Sequence, residues 1–268
     1  MRIQIFQVDA FTGRLFGGNP AAVCPLEEWL DDGLLQNIAM ENNLSETAFF
    51  VPQGDGFRLR WFTPATEVSL CGHATLAAAH VLWNHLGSSA QELRFDTRSG
   101  PVSVLRQDGR MALDFPALPA APFEAPSALL DGLGLPPREV LRARESPDSF
   151  NFLAVYASEE DVRSLRPDYR QLATLQHHGV IVSSRGSDES KIDFVSRYFC
   201  PAFGIDEDPV TGSIHCSLTP YWAEQLGKTR LEARQVSPRG GELSCQLRGN
   251  RVRIAGQAVT FLEGVIRT

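Results

Sequence analysis

The chain has 268 residues, of which 43% are hydrophobic, so it can bury a sizeable core as one large domain or two smaller ones. Its 25 Lys and Arg residues against 32 Asp and Glu residues give a net charge of -7, which argues against binding to the phosphate backbone of nucleic acid. The five cysteines are widely spaced and form no C-x-x-C pair, which favours reduced thiols over disulfides or a zinc site.

The N-terminal residues show neither the apolar segment nor the cleavage site of a secretory signal. No stretch reaches the run of about 18 apolar residues that a membrane helix needs. Together with the reduced thiols, these features predict a soluble, cytoplasmic protein without membrane contact.

The chain alternates between strand and helix patterns. Alternating apolar and polar residues predict strands at residues 1–8, 57–62, 111–115, 193–199 and 252–254. Apolar residues at helical spacing predict helices at residues 27–41, 72–86 and 213–226. A dinucleotide glycine fingerprint and a phosphate-loop lysine are both missing from the sequence, so nothing favours a nicotinamide, flavin or ATP enzyme.

The two halves of the chain carry a repeated pattern. Residues 60–65 match residues 197–202 with four identities and one aromatic exchange. The Gly-containing turn and the tryptophan that follow recur at nearly the same offset in the second half. Between the halves, residues 116–126 contain four prolines, which exclude a helix and a central strand. We therefore predict an N-terminal lobe at 1–116, a Pro-rich linker at 117–126 and a C-terminal lobe at 127–268.

The residues before each central helix are candidates for an anion site, because a helix start offers unpaired backbone N–H groups and a partial positive charge. Asp208 and Thr211 precede the second helix; their alternative role is to cap it. His73 lies in the first turn of the first helix, where a neutral imidazole is expected. It is either a site residue or a buried histidine satisfied by the backbone.

Cys71 and Glu46 are further candidates. Cys71 at a helix start could be a nucleophile with His73 as base, but only if it lies outside the helix; otherwise it is a buried structural thiol. Glu46 leads into an apolar strand, where a partly desolvated carboxylate suits proton transfer; the alternative is a solvated loop residue. Asn19 follows two glycines and either orients a ligand or serves a turn. No histidine pair has metal-ligand spacing with a third ligand nearby, so we expect no metal.

Taken together, six segments resemble the PhzF-like isomerases of phenazine biosynthesis. They occur in the family's order at residues 9–11, 18–23, 43–47, 62–64, 71–75 and 207–213. The resemblance implies an α+β, diaminopimelate epimerase-like fold, in which two pseudo-symmetric lobes each wrap a β-barrel-like sheet around a central helix. It also implies an active site between the lobes, a homodimer, and a C-terminal strand that can cross back to the first lobe.

The resemblance assigns roles by motif. Glu46 would shuttle a proton within a small carboxylate-bearing metabolite, and His73 and Asp208 would assist. The residues implied to line the substrate cleft are Asn19, Ser45, Gly72, Gly212 and Ser213. Neither a metal nor an organic cofactor is expected.

Two alternatives remain beside this isomerase. The related epimerases use two thiols, whereas this chain has Cys71 in the first turn and Thr211 in the second, which favours an isomerase with one base. An epimerase or racemase of an amino-acid-like substrate is the second reading. The third is a homodimer that binds a metabolite without catalysis.

Overall fold

The computed structural model describes residues 1–144, 150–176, 178–187, 189 and 191–268. These residues form two compact units, Met1–Asp114 with Ala255–Thr268, and Phe115–Ile254. Both units mix strands with helices.

The strands carry most of each unit. In chain order they are β1 Arg2–Ala10, β2 Asn19–Pro25, β3 Glu46–Gln53, β4 Gly56–Phe62, β5 Glu67–Val68, β6 Glu92–Thr97, β7 Gly100–Gln107, β8 Arg110–Pro116, β9 Ala121–Pro122, β10 Glu139–Arg144, β11 Phe150–Val155, β12 Val180–Arg185, β13 Phe194–Cys200, β14 Ile205–Asp208, β15 Arg230–Gln235, β16 Gly241–Arg248, β17 Arg251–Gly256 and β18 Ala258–Arg267. The α-helices are α1 Asp32–Asn42, α2 Gly72–Asn84, α3 Ser127–Leu133, α4 Glu159–Ser164, α5 Tyr169–Ala173 and α6 His215–Leu226.

In the first unit, the sheet surrounds α2. Strand β1 pairs antiparallel with β18 and β2, β2 runs parallel to β3, and β3 pairs antiparallel with β4. Strand β4 then pairs antiparallel with β5 and parallel with β6, and β6, β7 and β8 follow as antiparallel neighbours. Ten of the thirteen residues of α2 are buried, which is typical of a helix enclosed on all sides.

The second unit repeats this connectivity. Strand β10 pairs antiparallel with β11, β11 runs parallel to β12, and β12 pairs antiparallel with β13. Strand β13 pairs antiparallel with β14 and parallel with β15, and β15 pairs antiparallel with β16. Helix α6 takes the place of α2 and packs on β15 and β16. The sequence repeat is therefore the repeat of a folding unit.

An arginine–glutamate pair recurs in both units. Arg60 of β4 donates from Nε and Nη2 to the two carboxylate oxygens of Glu67 at 2.8 and 2.9 Å. Arg197 of β13 binds Glu207 in the same two-pronged way, also at 2.8 and 2.9 Å. Each guanidinium also lies over the phenylalanine two residues further along its strand. The pairs join β4 to β5 and β13 to β14, the strands that lead into the central helices.

Two helices begin later than the sequence predicts. Helix α1 begins at Asp32 because the side chain of Asp31 accepts a hydrogen bond from the backbone N–H of Gly33 at 2.9 Å and caps the helix there. Helix α6 begins at His215, whose N–H bonds to the carbonyl of Gly212 at 3.1 Å. This bond spans three residues, so the preceding residues form a tight turn rather than helix.

The Pro-rich segment 117–126 is hydrogen-bonded within the second unit. The N–H of Ala117 donates to the carbonyl of Asn250 at 2.8 Å, and that of Leu118 donates to the carbonyl of Cys216 at 2.9 Å. Strand β9 of this segment pairs with β10. Proline here limits pairing but does not prevent it, since an edge strand tolerates a missing N–H.

Strand β18 belongs to the first unit. It pairs with β1 from Ala10 opposite Ala258 to Arg2 opposite Arg267, with one irregularity between Gln7 and Val8. Among the described residues, we find no helix with the length and apolar character to cross a membrane.

We predict that Arg197→Met lowers the free energy of unfolding by about 3 to 5 kcal/mol, because it leaves the Glu207 carboxylate buried without its partner. The Arg197 and Glu207 side chains are only 9% and 11% exposed. Arg197 also donates from Nη1 to the carbonyls of Val162 and Leu165. Urea denaturation measures the loss.

The matched control is Arg234→Met, which removes an ion pair with Glu242 whose side chains are 37% and 65% exposed. This variant should change stability by no more than about 0.5 kcal/mol. Equal losses of unfolding free energy in the two variants would show that the buried pair stabilises the protein no more than the exposed pair does.

Candidate active site

Strands β2 and β3 and the start of α2 bring the predicted residues of the first unit together. Asn19 begins β2, Glu46 begins β3, Cys71 is the N-cap of α2 and His73 lies in its first turn. Because β2 and β3 are parallel neighbours with Ala21 opposite Glu46, their first residues lie at the same edge of the sheet. Helix α2 contacts both strands.

A glycine makes the approach to this edge possible. Gly18 has a φ of +63°, and a Cβ at this position would lie 2.1 Å from the carbonyl oxygen of Ala10. Only glycine fits such a turn without strain. The same loop is held by the backbone N–H of Phe16, which donates to Asp9 Oδ2 at 3.0 Å. Asn19 follows directly, so the loop fixes where its side chain begins.

The central contact of the site joins His73 and Glu46. His73 Nε2 lies 3.1 Å from Glu46 Oε2, and the two side chains are 7% and 18% exposed. The geometry falls short of a full hydrogen bond, and within the described residues neither atom has another hydrogen-bond partner. Two buried polar atoms in this state can accommodate a polar group of a ligand, and catalytic hydrogen bonds often align only when substrate is bound.

The other ring nitrogen of His73 faces Asn19 and Cys71. Asn19 Nδ2 lies 3.3 Å and Cys71 Sγ lies 3.5 Å from His73 Nδ1. Ser45 Oγ in turn donates to Asn19 Oδ1 at 3.2 Å. Cys71 has extended backbone angles and lies outside the helix, which is the condition under which it can meet His73. The structure thus joins Asn19, Ser45, Glu46, Cys71 and His73 in one cluster.

Charge and burial set the protonation tendencies of this cluster. Burial raises the pKa of the Cys71 thiol, and the negative charge of Glu46 adds to the rise. Cys71 is therefore a neutral thiol rather than an activated nucleophile. Burial lowers the pKa of the His73 imidazole, but the neighbouring Cys71 and Glu46 outweigh burial and leave that pKa above its ordinary value.

The same three residues form the one set of acidic, thiol and imidazole groups within the described residues that gathers closely enough to hold a metal ion, with ligand atoms within 4.8 Å of one another. Glu46 faces Nε2 of His73, whereas Cys71 faces Nδ1. The two contacts run to opposite nitrogens of the imidazole, as in a hydrogen-bonded chain.

In the second unit, Asp208, Gly212 and Ser213 lie between β14 and α6. Thr211 Oγ1 donates to the carboxylate of Asp208, so these two side chains bond to each other instead of capping α6. The predicted roles of Asp208, Gly212 and Ser213 toward substrate stay predictions.

Sequence reasoning missed Gln235, which organises this segment. Its Oε1 accepts from the N–H of Thr211 at 2.8 Å, and its Nε2 donates to the carbonyl of Asp208 at 2.8 Å. Gln235 has no exposed surface. It ends β15, where a glutamine in an alternating strand gives no sign that it is buried.

His215 is a structural residue of the second unit. It is wholly buried, and its Nδ1–H donates to the carbonyl of Thr211 at 2.9 Å. Burial lowers its pKa to about 4. At the equivalent place in α2, Thr75 donates its hydroxyl to the carbonyl of Cys71 at 2.5 Å. In both units, a side chain at the start of the central helix thus donates a hydrogen bond to the backbone carbonyl of the residue four positions before it.

The comparisons with known proteins agree with this fold. The sequence profile of the PhzC-PhzF family, described as phenazine biosynthesis-like protein, matches residues 8–264. An uncharacterized isomerase of Pseudomonas aeruginosa is 53% identical over 267 residues, which cover 100% of this chain and 99% of that protein. The crystal structure of a PhzF-family protein from Enterococcus faecalis is 43% identical, with a TM-score of 0.94 over 100% of both chains.

A more distant structure shows how far the fold extends. A probable proline racemase from Agrobacterium radiobacter has a TM-score of 0.62 at 12% identity, over 99% of this chain and 92% of that one, which shows a common fold alone.

The duplicated sheet around a central helix is thus the fold of the PhzF-family structure, and the proline racemase structure has the same fold. The chain belongs to the PhzC-PhzF family of phenazine biosynthesis-like proteins and is an isomerase of that family. The resemblance and the fold predicted from the sequence motifs are confirmed.

We predict that Cys71 resists alkylation by iodoacetamide in the folded protein near neutral pH, because the thiolate is the reactive form and burial raises the pKa of this thiol. All five cysteines are buried free thiols. Mass spectrometry should find them modified only after denaturation. Rapid and selective labelling of Cys71 in the native protein would instead reveal an activated thiolate.

A second prediction concerns acid stability. The pKa of His215 is about 4 in the folded protein against 6.5 for the free side chain, so the unfolded chain binds the proton more tightly. Stability is therefore fully present above pH 6.5 and is lost as pH falls toward 4, by about 3 kcal/mol for this one residue. His215→Gln should flatten the pH dependence of urea unfolding in this window.

His80 provides a comparison, because burial lowers its pKa to about 4 as well. Arg60 lowers the pKa values of Asp32 and Glu67. Their contributions to stability are therefore lost only when the pH falls below the ordinary pKa range of carboxyl groups. His80→Gln and His215→Gln should each remove part of the stability loss that occurs at pH values above the ordinary pKa range of Asp and Glu. A curve unchanged by either substitution would contradict the assignment to histidine.

Proposed function

We propose that the protein is a cofactor-independent isomerase that moves a proton within a small carboxylate-bearing metabolite, with Glu46 as the group that takes and returns the proton. The observation that carries the proposal is the buried contact between Glu46 Oε2 and His73 Nε2 at 3.1 Å, in which both atoms lack any other hydrogen-bond partner among the described residues. Such a pair is suited to acid–base chemistry.

The reaction is a balanced proton shift. The Glu46 carboxylate removes a proton from an acidic C–H bond, and the electron pair of that bond enters the conjugated system of the substrate. The protonated Glu46 then gives the proton to another carbon, where a new C–H bond forms and the double bond has moved. Because the Glu46 side chain is only 18% exposed, the proton is shielded from water between the two steps.

The start of α2 supports the negative charge that develops. The first N–H groups of a helix have no partner within the helix, and its positive dipole end attracts an anion. Gly72 and His73 provide these groups next to Glu46. They would stabilise the substrate carboxylate or the enolate-like charge of the transition state. Binding by Gly212 and Ser213 and assistance by Asp208 belong to the proposal and rest on the family resemblance.

The alternatives are less well supported. A two-base epimerase or racemase would need a second proton carrier, and Cys71, whose Sγ lies 3.5 Å from His73 Nδ1, is a buried thiol whose pKa is raised by burial. A binding module for anions would gain nothing from Glu46, because a carboxylate at the site repels an anionic ligand. The cytoplasmic location and the homodimer are part of the proposal and rest on cysteine usage and on the resemblance.

We predict that Glu46→Gln abolishes catalysis, by about 100-fold or more, since glutamine cannot accept a proton. The assay incubates small cyclic and amino-acid carboxylates, including dihydro-hydroxyanthranilate, with the protein in D2O. Mass spectrometry detects deuterium uptake, and chromatography detects isomers of unchanged mass.

The matched control is Glu263→Gln. Glu263 also faces a histidine, with Oε2 3.7 Å from His85 Nδ1, but its side chain is 61% exposed and lies apart from the cluster around His73. This variant should retain activity. If a compound binds and the wild type neither exchanges nor isomerises it, the binding-module reading is favoured. Equal turnover by the wild type and Glu46→Gln would remove Glu46 from the mechanism.

A further inference from the structure

The contacts behind His73 have a fixed donor order. Ser45 Oγ donates to Asn19 Oδ1 at 3.2 Å, which turns the amide nitrogen of Asn19 toward His73 Nδ1 at 3.3 Å. An amide nitrogen can only donate a hydrogen bond. Nδ1 is therefore the acceptor in this contact, which favours a ring without a proton on Nδ1.

Cys71 also requires Nδ1 to accept a hydrogen bond. Its Sγ lies 3.5 Å from this nitrogen, and the thiol keeps its proton because burial raises its pKa. A protonated thiol donates to a bare ring nitrogen. Two donors from two parts of the chain, one at the start of β2 and one at the start of α2, thus meet one acceptor.

We infer that Asn19, oriented by Ser45, is a positioning residue that selects, for the neutral form of His73, the tautomer protonated on Nε2, with this N–H turned toward Glu46. The importance of this arrangement for catalysis rests on the proposed function. The arrangement itself rests on the distances and does not depend on any substrate.

Asn19 is well placed for such an indirect role. It has no exposed surface, and both ends of its amide are engaged, one by Ser45 and one by His73. It therefore acts through His73 rather than by direct contact with substrate.

The Asn19 amide and the charge near His73 have opposite effects on the protonation of the ring. The titratable groups that face His73 are Glu46 from β3 and Cys71 from the start of α2, and the Glu46 carboxylate favours a positive imidazolium. A second proton on Nδ1 would point at the N–H of Asn19. To avoid this, the amide would have to turn over and break the bond from Ser45. Asn19 is thus the contact that opposes double protonation of His73.

The tautomer decides what Glu46 can do. With the proton on Nε2, His73 donates to one oxygen of Glu46 and leaves the other oxygen to the substrate. With the proton on Nδ1 instead, the bare Nε2 would accept the proton that Glu46 has just taken from the substrate. That proton would be held between the two side chains and would return to the substrate slowly.

The test reads the imidazole directly by NMR. Protein labelled with nitrogen-15 histidine gives correlations between ring protons and ring nitrogens that distinguish the two neutral tautomers from imidazolium. The signals of His73 are those that disappear in His73→Gln. Spectra are recorded as the pH rises past the raised pKa of His73, and we expect the neutral ring that then forms to be protonated on Nε2. A neutral His73 protonated on Nδ1 would overturn the inference.

Asn19→Asp then reverses the contact at nearly constant shape, since its carboxylate accepts where the amide donated. We expect His73 in this variant to stay doubly protonated to higher pH than in the wild type. Ser45→Ala frees the amide to turn, and we expect a mixture of ring forms. If Asn19→Asp does not fold, the wild-type spectrum and Ser45→Ala still decide the question.

The matched control is Asn151→Asp in the second unit. Asn151 is also buried, and its Oδ1 accepts from the N–H of Gly179 at 2.9 Å and from the hydroxyl of Tyr198 at 3.1 Å. This variant introduces a buried carboxylate whose hydrogen bonds run to Gly179 and Tyr198 and not to His73, so the His73 signals should not move. Equal changes in both variants would point to a general loss of structure and contradict the inference.

The experiments distinguish a failure of the positioning role of Asn19 from a failure of the proposed function. If Glu46→Gln abolishes deuterium exchange while Asn19→Asp alters neither the ring form nor the exchange rate, the positioning role fails and the isomerase stands. If the ring form responds as expected while Glu46→Gln exchanges at the wild-type rate, the proposed function fails. If both hold, Asn19→Asp should slow exchange by about tenfold or more.

Discussion

The parallel pairing of β2 and β3 is the constraint on which the candidate site depends. Parallel strands place their first residues at the same edge, and here those residues are Asn19 and Glu46. The crossover between the two strands is the stretch that contains α1, which keeps β2 and β3 adjacent although Pro25 and Glu46 are far apart in sequence. Helix α2 then needs only to begin at this edge for His73 to reach Glu46.

Both units hold the strands before their own central helix in the same way. The bidentate pairs Arg60–Glu67 and Arg197–Glu207 hold the two strands that precede each central helix. The repeat has two equivalent helix starts that differ in their side chains. Where the first unit has Cys71 and His73, the second has Thr211 and Ser213. The first start thus carries a thiol and an imidazole, and the second carries hydroxyl groups.

Much of the fold could be predicted from the sequence, because its signals are local and repeated. The alternation around Trp61 and Phe199, and the apolar stretch after Gly72, predict the right elements. Helix starts were less accurate, because they depend on single contacts such as the cap from Asp31 to Gly33. The pairing of β18 with β1 could be expected only from the family resemblance, since no local pattern specifies a partner so distant in sequence.

The candidate site also combines features that could be predicted from the sequence with features that could not. Motifs in the sequence identified Glu46, His73, Asn19 and Ser45, and the structure places them together. The direction of the hydrogen bonds among them could not be predicted, because it depends on side-chain distances.

The pairing of β18 with β1 also sets an order of assembly. The first unit includes residues 255–268, which the ribosome adds only after the whole of the second unit, residues 115–254. Contacts between residues so far apart in sequence form slowly, since a long loop must close before they stabilise the chain. During synthesis, the second unit can therefore fold while the first still lacks a strand next to β1. The sheet that carries Glu46 and surrounds α2 is completed last, so in a nascent chain the contact between Glu46 and His73 lacks its finished surroundings.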